Sequence, residues 1–110
     1  MTKLPENYLP LSQATYYILL SLREARHGYG IMQDVEEISH GDVTMGPGTL
    51  YGALSKLEKQ GVICKTDVKS DDRRKYYELT RTGVTVLQLE YKRLVSLVKN
   101  AEVIIEDLEG

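Results

Sequence analysis

Phenylalanine and tryptophan are both missing from this chain of 110 residues, so its aromatic load falls on eight tyrosines. Cysteine occurs once. Cys64 has no partner for an internal disulfide and, with only His27 and His40 for company, makes a poor metal site; it reads as a small apolar strand residue. Long apolar runs are missing too. The longest are short, as in "YYILL", and no apolar stretch follows the first residues, so neither a membrane span nor a signal peptide is visible and a cytoplasmic location is expected. Catalytic constellations are equally scarce: no phosphate-loop signature appears, and neither histidine has a Cys, Ser or carboxylate motif around it. Both read as exposed turn residues, and no enzyme, metal or cofactor is expected.

Net charge is small, −2, but unevenly spread. Residues 1–47 hold three Lys/Arg against six Asp/Glu, and residues 83–110 hold three against five. Residues 48–82 hold eight against five, so the basic charge is local and suits binding to an anionic partner even though the total does not.

The length is that of one domain, without repeats or an interdomain linker. "MTKLPENYLPL" reads as an extended arm, ordered only if something holds it. Ser12 is a good N-cap for a first helix over residues 13–25, where Leu11, Thr15, Ile18, Leu22 and Ala25 follow helical spacing. "HGYG" is expected to break that helix. Ile31, Met32, Val35 and Ile38 mark a second helix stopped near Gly41, and "GPGTLYGALSKLEKQG" a third, with Leu50, Leu54 and Leu57 inward. Residues 62–79 then read as a β-hairpin with "KSDDRR" as its turn. Thr80 or Thr82 caps a final helix of about 26 residues, which would span about 39 Å. Its seam of Leu87, Tyr91, Leu94, Val98, Ala101, Ile105 and Leu108 has too little of its own chain to cover it, so a homodimer is expected, with Ile18 and Leu22 of the first helix helping. The fold class is mainly α with a small β-hairpin: a winged helix-turn-helix, residues 1–82 including an arm at 1–11, plus a C-terminal dimerisation helix at 83–110.

In a winged helix the third helix lies in the DNA major groove and the hairpin, the wing, touches the flanking backbone or minor groove. With its leucines inward, the third helix turns Gly48, Gly52, Ser55 and Lys59 outward, flanked by Thr49, Lys56 and Tyr51: a small, hydroxylated, basic face without a central carboxylate. Gly52 costs about 1 kcal/mol relative to Ala in a helix interior. Either it lets backbone approach a groove wall closely, or it is merely tolerated in the first turns. Arg73, Arg74 and Lys75 form a cationic wing tip suited to phosphates; Asp71 and Asp72 beside them allow a plain solvated turn as the alternative. Tyr76 and Tyr77 read as packing across the hairpin, and Tyr16, Tyr17 and Tyr29 as core or interface. Tyr91, within the apolar seam, needs a partner or water for its hydroxyl, which either a structural hydrogen bond or a place at one wall of a small-molecule cavity would supply.

The sequence resembles the PadR family of bacterial transcription regulators. "HGYGI" at 27–31, "GTLYGALSKLEKQGVI" at 48–63 and "RRKYYELTRTG" at 73–83 carry the resemblance, which extends over nearly all of the chain; Gly52 stands where the family often has proline. The single C-terminal helix is similar to the short-tailed branch. The resemblance implies a dimeric repressor on a palindromic operator, released in several relatives by a small aromatic or hydrophobic effector. It implies DNA contacts at Gly48, Thr49, Tyr51, Arg73, Arg74 and Lys75, and an effector cavity that here would depend on Tyr91. The competing reading is a winged-helix dimer that senses ligands or binds proteins without engaging DNA.

Overall fold

Side-chain caps set where three of the helices begin. In this computed structural model, which describes residues 4–66 and 74–110, Ser12 Oγ accepts from the Thr15 amide at 3.1 Å and starts α1, Gln13–Ser21. His27 Nδ1 accepts from the Gly30 amide at 3.1 Å and starts α2, Gly28–Ile38. The third helix, α3, Pro47–Lys59, begins behind Gly46 with no side-chain cap. Thr80 Oγ1 accepts from the Gly83 amide at 3.1 Å and starts α4, Arg81–Glu109, so Thr80 and not Thr82 is the cap.

Two boundaries differ from the sequence reading. The first helix stops at Ser21, well short of residue 25, because Arg26 Nε donates to the Ser21 carbonyl at 2.7 Å and closes the helix end. "HGYG" does not interrupt a helix; it opens α2, where glycines in the first turn cost little. His27 is accordingly half-buried, its ring meeting Tyr76 edge-on at 5.4 Å, and is no free turn residue. His40 is exposed as expected, in the left-handed region at φ 53° where α2 ends. At the end of α3, Gly61 (φ 75°) fills the same position: the Val62 amide donates to the Leu57 carbonyl and the Gly61 amide to that of Glu58.

The strands of the hairpin are β2, Ile63–Thr66, and β3, Tyr76–Leu79, paired antiparallel with Lys65 opposite Tyr77; of the expected turn, residues 69–73 lie outside the described residues. A further strand, β1, Arg26–His27, joins β3 to give the sheet order β1-β3-β2. Two residues are too few to show a period of two, which is why β1 was illegible. Cys64 lies half-buried on β2 with its Sγ 3.9 Å from Glu78 Oε1; burial and that carboxylate push its thiol pKa up.

The core is aliphatic, gathering Ile18, Leu19 and Leu22 of the α1 segment, Ile31 and Val35 of α2, Leu50, Leu54 and Leu57 of α3, Val62, Ile63 and Val86, with Tyr77 as its buried aromatic. Ile18 and Leu22, expected at a dimer seam, are 1% and 2% exposed within the single chain: the domain's own core takes them and leaves nothing to present to a partner. Tyr29, expected in core or interface, is 61% exposed. Asp34 ties α2 to the end of α1 through a bidentate pair with Arg23 (2.7 and 3.1 Å), and these hydrogen bonds hold its carboxyl below the usual range.

The N-terminal segment is held, not loose. A 3-10 helix at Pro5–Tyr8 lies against α4; the Tyr8 hydroxyl donates to the Gln60 carbonyl at 2.9 Å and the Leu11 amide to Glu90 Oε2 at 2.8 Å. Glu90 is 1% exposed and also pairs with Arg93 at 2.5 Å; hydrogen bonds from Arg93 and the Leu11 amide keep its carboxyl below its usual value. Beyond Val95 every residue of α4 is exposed, although Leu97, Val98, Val103, Ile104, Ile105 and Leu108 are apolar.

Candidate nucleic-acid interface

Leu50, Leu54 and Leu57 anchor one side of α3 in the core and thereby orient the other. Gly48, Thr49, Tyr51, Gly52, Ser55, Lys56 and Lys59 lie on that other side; of these, Gly48, Thr49, Tyr51, Gly52, Ser55 and Lys56 are exposed and Lys59 is open to solvent at the helix end. Glu58, the one carboxylate on this helix, is half-buried and turned toward β2, 3.8 Å from Lys65 Nζ, so the outward face carries hydroxyl, amide and ammonium groups only. Among the described residues, a Cβ at Gly46, Gly48 or Gly52 would meet nothing within 4 Å, so no described neighbour requires those three glycines. The N-cap Gly46 offers the first-turn amides of α3 no side-chain acceptor and Pro47 contributes no amide hydrogen, an arrangement that favours an anion at this helix end.

Arg74 and Lys75 are exposed where the wing joins β3. Arg73, with Asp71 and Asp72, lies outside the described residues. The basic wing base and α3 are brought together by a notch of about 210 Å³ whose walls include Tyr51, Arg74, Lys75 and, from α2, Gly28 and Tyr29. Tyr77 forms part of its floor, and burial pushes the pKa of that phenol up. Sequence reasoning placed Tyr51 on a flank of α3 but missed Gly28 and Tyr29. Both stand in the quoted "HGYGI", yet their proximity to Tyr51 bridges more than twenty residues and has no local signature.

The apolar seam of α4 splits into two parts. Leu87 and Leu94 are half-buried, whereas Tyr91 is 61% exposed and Val98, Ala101, Ile105 and Leu108 are exposed. Exposure removes any need for Tyr91 to find a protein partner for its hydroxyl. Its ring lies between two shallow grooves, one of about 360 Å³ with Tyr16, Leu20 and Leu87 and one of about 320 Å³ with Leu94, Val95 and Val98. Among the described residues no helix is long and apolar enough to cross a membrane.

Known proteins share this fold. RosR of Halobacterium salinarum superposes with a TM-score of 0.68 at 25% identity, covering 91% of this chain and 94% of that one. A PadR-like transcription factor from Bacteroides fragilis gives 0.67 at 26% identity, with 83% and 87% covered. In sequence, an uncharacterized protein of Lysinibacillus sphaericus is 30% identical over 92 residues, 82% of this chain and 84% of the relative. The transcriptional regulator YqjI of Escherichia coli is 29% identical over 77 residues, 70% of this chain but 36% of YqjI, so only part of that protein is matched. The model of the "Transcriptional regulator PadR-like family" matches residues 16–89. With three helices, a wing and a long final helix in this order, and that match over most of its length, the chain belongs to the PadR-like family of transcriptional regulators.

Proposed function

We propose that the protein is a homodimeric, DNA-binding transcriptional repressor whose two α3 helices enter successive major grooves of a palindromic operator about one turn apart. The observation that carries this reading is the outward face of α3: Thr49, Tyr51, Gly52, Ser55, Lys56 and Lys59 stand open to solvent with no carboxylate among them. Lys56 and Lys59 supply phosphate contacts, Ser55 and Tyr51 reach base edges, and Gly48 and Gly52 leave backbone free to approach the groove. Arg74 and Lys75 continue the cationic run onto the flanking backbone, with Arg73 assigned the same role by its position in the chain. The dimer is supported by the apolar residues left exposed along α4, Val98, Ile105 and Leu108 among them.

A small hydrophobic or aromatic effector fits the grooves beside Tyr91, whose walls combine two tyrosine rings and aliphatic side chains with Gln88, Lys92, Lys99 and Glu102. Its binding between copies would release the operator.

The test is selection of duplexes from a random pool, followed by gel shifts over a salt series. Neutralising Lys56 and Lys59 to Gln lowers affinity for all sequences and reduces the slope of log K against log[salt] by about 0.9 for each phosphate no longer neutralised. Ser55→Ala changes the preferred base at one position and leaves the slope alone. Failure of the wild-type protein to select any duplex at low salt would overturn the reading in favour of a ligand-sensing or protein-binding module.

A further inference from the structure

Gly28 opens α2 with an ordinary backbone: the positive φ values of the described chain belong to His40, Gly41 and Gly61. As the first residue of α2 it gains nothing from being glycine on helix propensity. What a methyl group would meet is a side chain from another element. A Cβ built on Gly28 would lie 2.7 Å from Cζ and 3.2 Å from Cε1 of Tyr51, and nearer still to its hydroxyl. Carbon atoms pack best at about 3.5–4.0 Å, so a methyl group and this ring position exclude each other.

Tyr51 leaves the outward side of α3, 47% exposed, with the hydroxyl end of its ring at Gly28 in the first turn of α2, and lines one notch together with Arg74 and Lys75. From this geometry we infer that Gly28 is a positioning residue for operator reading: the missing side chain at Gly28 is the seat that sets where Tyr51 presents its hydroxyl. An exposed tyrosine without a seat divides itself among staggered rotamers, and ordering it on binding then costs affinity. With the seat, the hydroxyl is held beside the wing base before DNA arrives. This role rests on the proposed DNA-binding reading.

Gly28→Ala, Tyr51→Ala and the double variant test it, each assayed by thermal unfolding and by gel shift against the operator selected by the wild-type protein. Gly28→Ala is expected to bind about five- to tenfold more weakly, the equivalent of one directed hydrogen bond, and to relax base preference where Tyr51 reads. Tyr51→Ala weakens binding by a similar factor, and the double variant binds no more weakly than Tyr51→Ala alone. Effects that multiply in the double variant, or a Gly28→Ala protein that selects the wild-type operator with wild-type affinity, overturn the role. Should Gly28→Ala fail to fold, Gly28→Ala/Tyr51→Ala must fold, since removing the ring makes room for the methyl; if both fail, the glycine serves another purpose and the inference falls. A wild-type protein that selects no duplex overturns the DNA-binding reading and this role together, whereas an insensitive Gly28→Ala variant beside a selective wild type overturns the role alone.

Discussion

Glycines 52 and 83 both sit in helices, and their surroundings are opposite. Around Gly52 a Cβ would meet nothing within 4 Å; at Gly83 it would run into the carbonyl of Val62, lying 3.1 Å from that carbonyl carbon and 3.3 Å from Leu79 Cδ2. Gly52→Ala is therefore expected to stabilise the protein by about 0.5–1 kcal/mol through propensity. Gly83→Ala is expected to destabilise it by about 1–3 kcal/mol, because backbone must move to admit the methyl. Urea unfolding of the two variants checks the pair, and equal shifts would refute the distinction. If Gly52→Ala also weakens operator binding, the backbone of α3 approaches the groove wall as the small outward face suggests. Helical spacing reveals on which side of a helix each glycine lies. It carries no information on what stands opposite, because Val62 meets Gly83, and Tyr51 meets Gly28, only once the chain is folded. For the same reason His27 reads as a turn residue in the sequence and proves to be a cap.

At the scale of elements, the helices with strong apolar periods and capping residues were legible: Ser12, Thr80 and Gly61 mark ends that the structure confirms. The end of α1 was not, because the Arg26 side chain that occupies the Ser21 carbonyl five residues back has no capping signature in the sequence. The N-terminal segment, read as an arm awaiting support, gains that support from α4 through a buried carboxylate whose role depends on the distant Leu11 amide. Glu90 and Asp34 both have folded pKa values below their ordinary ones of 4.5 and 3.8. The unfolded chain thus binds protons more readily, so the stability these groups contribute is complete above about pH 5 and is lost as pH falls through their folded values. Glu90→Gln is expected to flatten the acid side of the stability profile, and Glu90→Ala to lower stability at neutral pH by about 1–3 kcal/mol by leaving the Leu11 amide unsatisfied. Unfolding measured from pH 7 down to pH 3 checks both; a Glu90→Gln profile parallel to that of the wild type counts against the carboxylate.

For the whole molecule, the long helix was foreseen, and α4 runs 29 residues where about 26 were expected from the apolar period. Which residues remain for a partner was only partly legible. Periodicity identifies an apolar stripe without dividing it between core and interface, and Ile18 and Leu22 were misassigned on that account. The exposed half of α4 makes a specific expectation: Val98→Glu/Ile105→Glu sediments as a monomer, and its thermal midpoint no longer rises with protein concentration as the wild type's does. A wild-type protein that sediments as a monomer at all concentrations refutes the dimer. One short stretch of chain ties α3 to α4. Tyr8 donates to Gln60, the residue that follows α3, and three residues later the Leu11 amide donates to Glu90 of α4. If the chain pairs through α4 as proposed, a force on that helix would reach the end of α3 through the short segment from Tyr8 to Leu11.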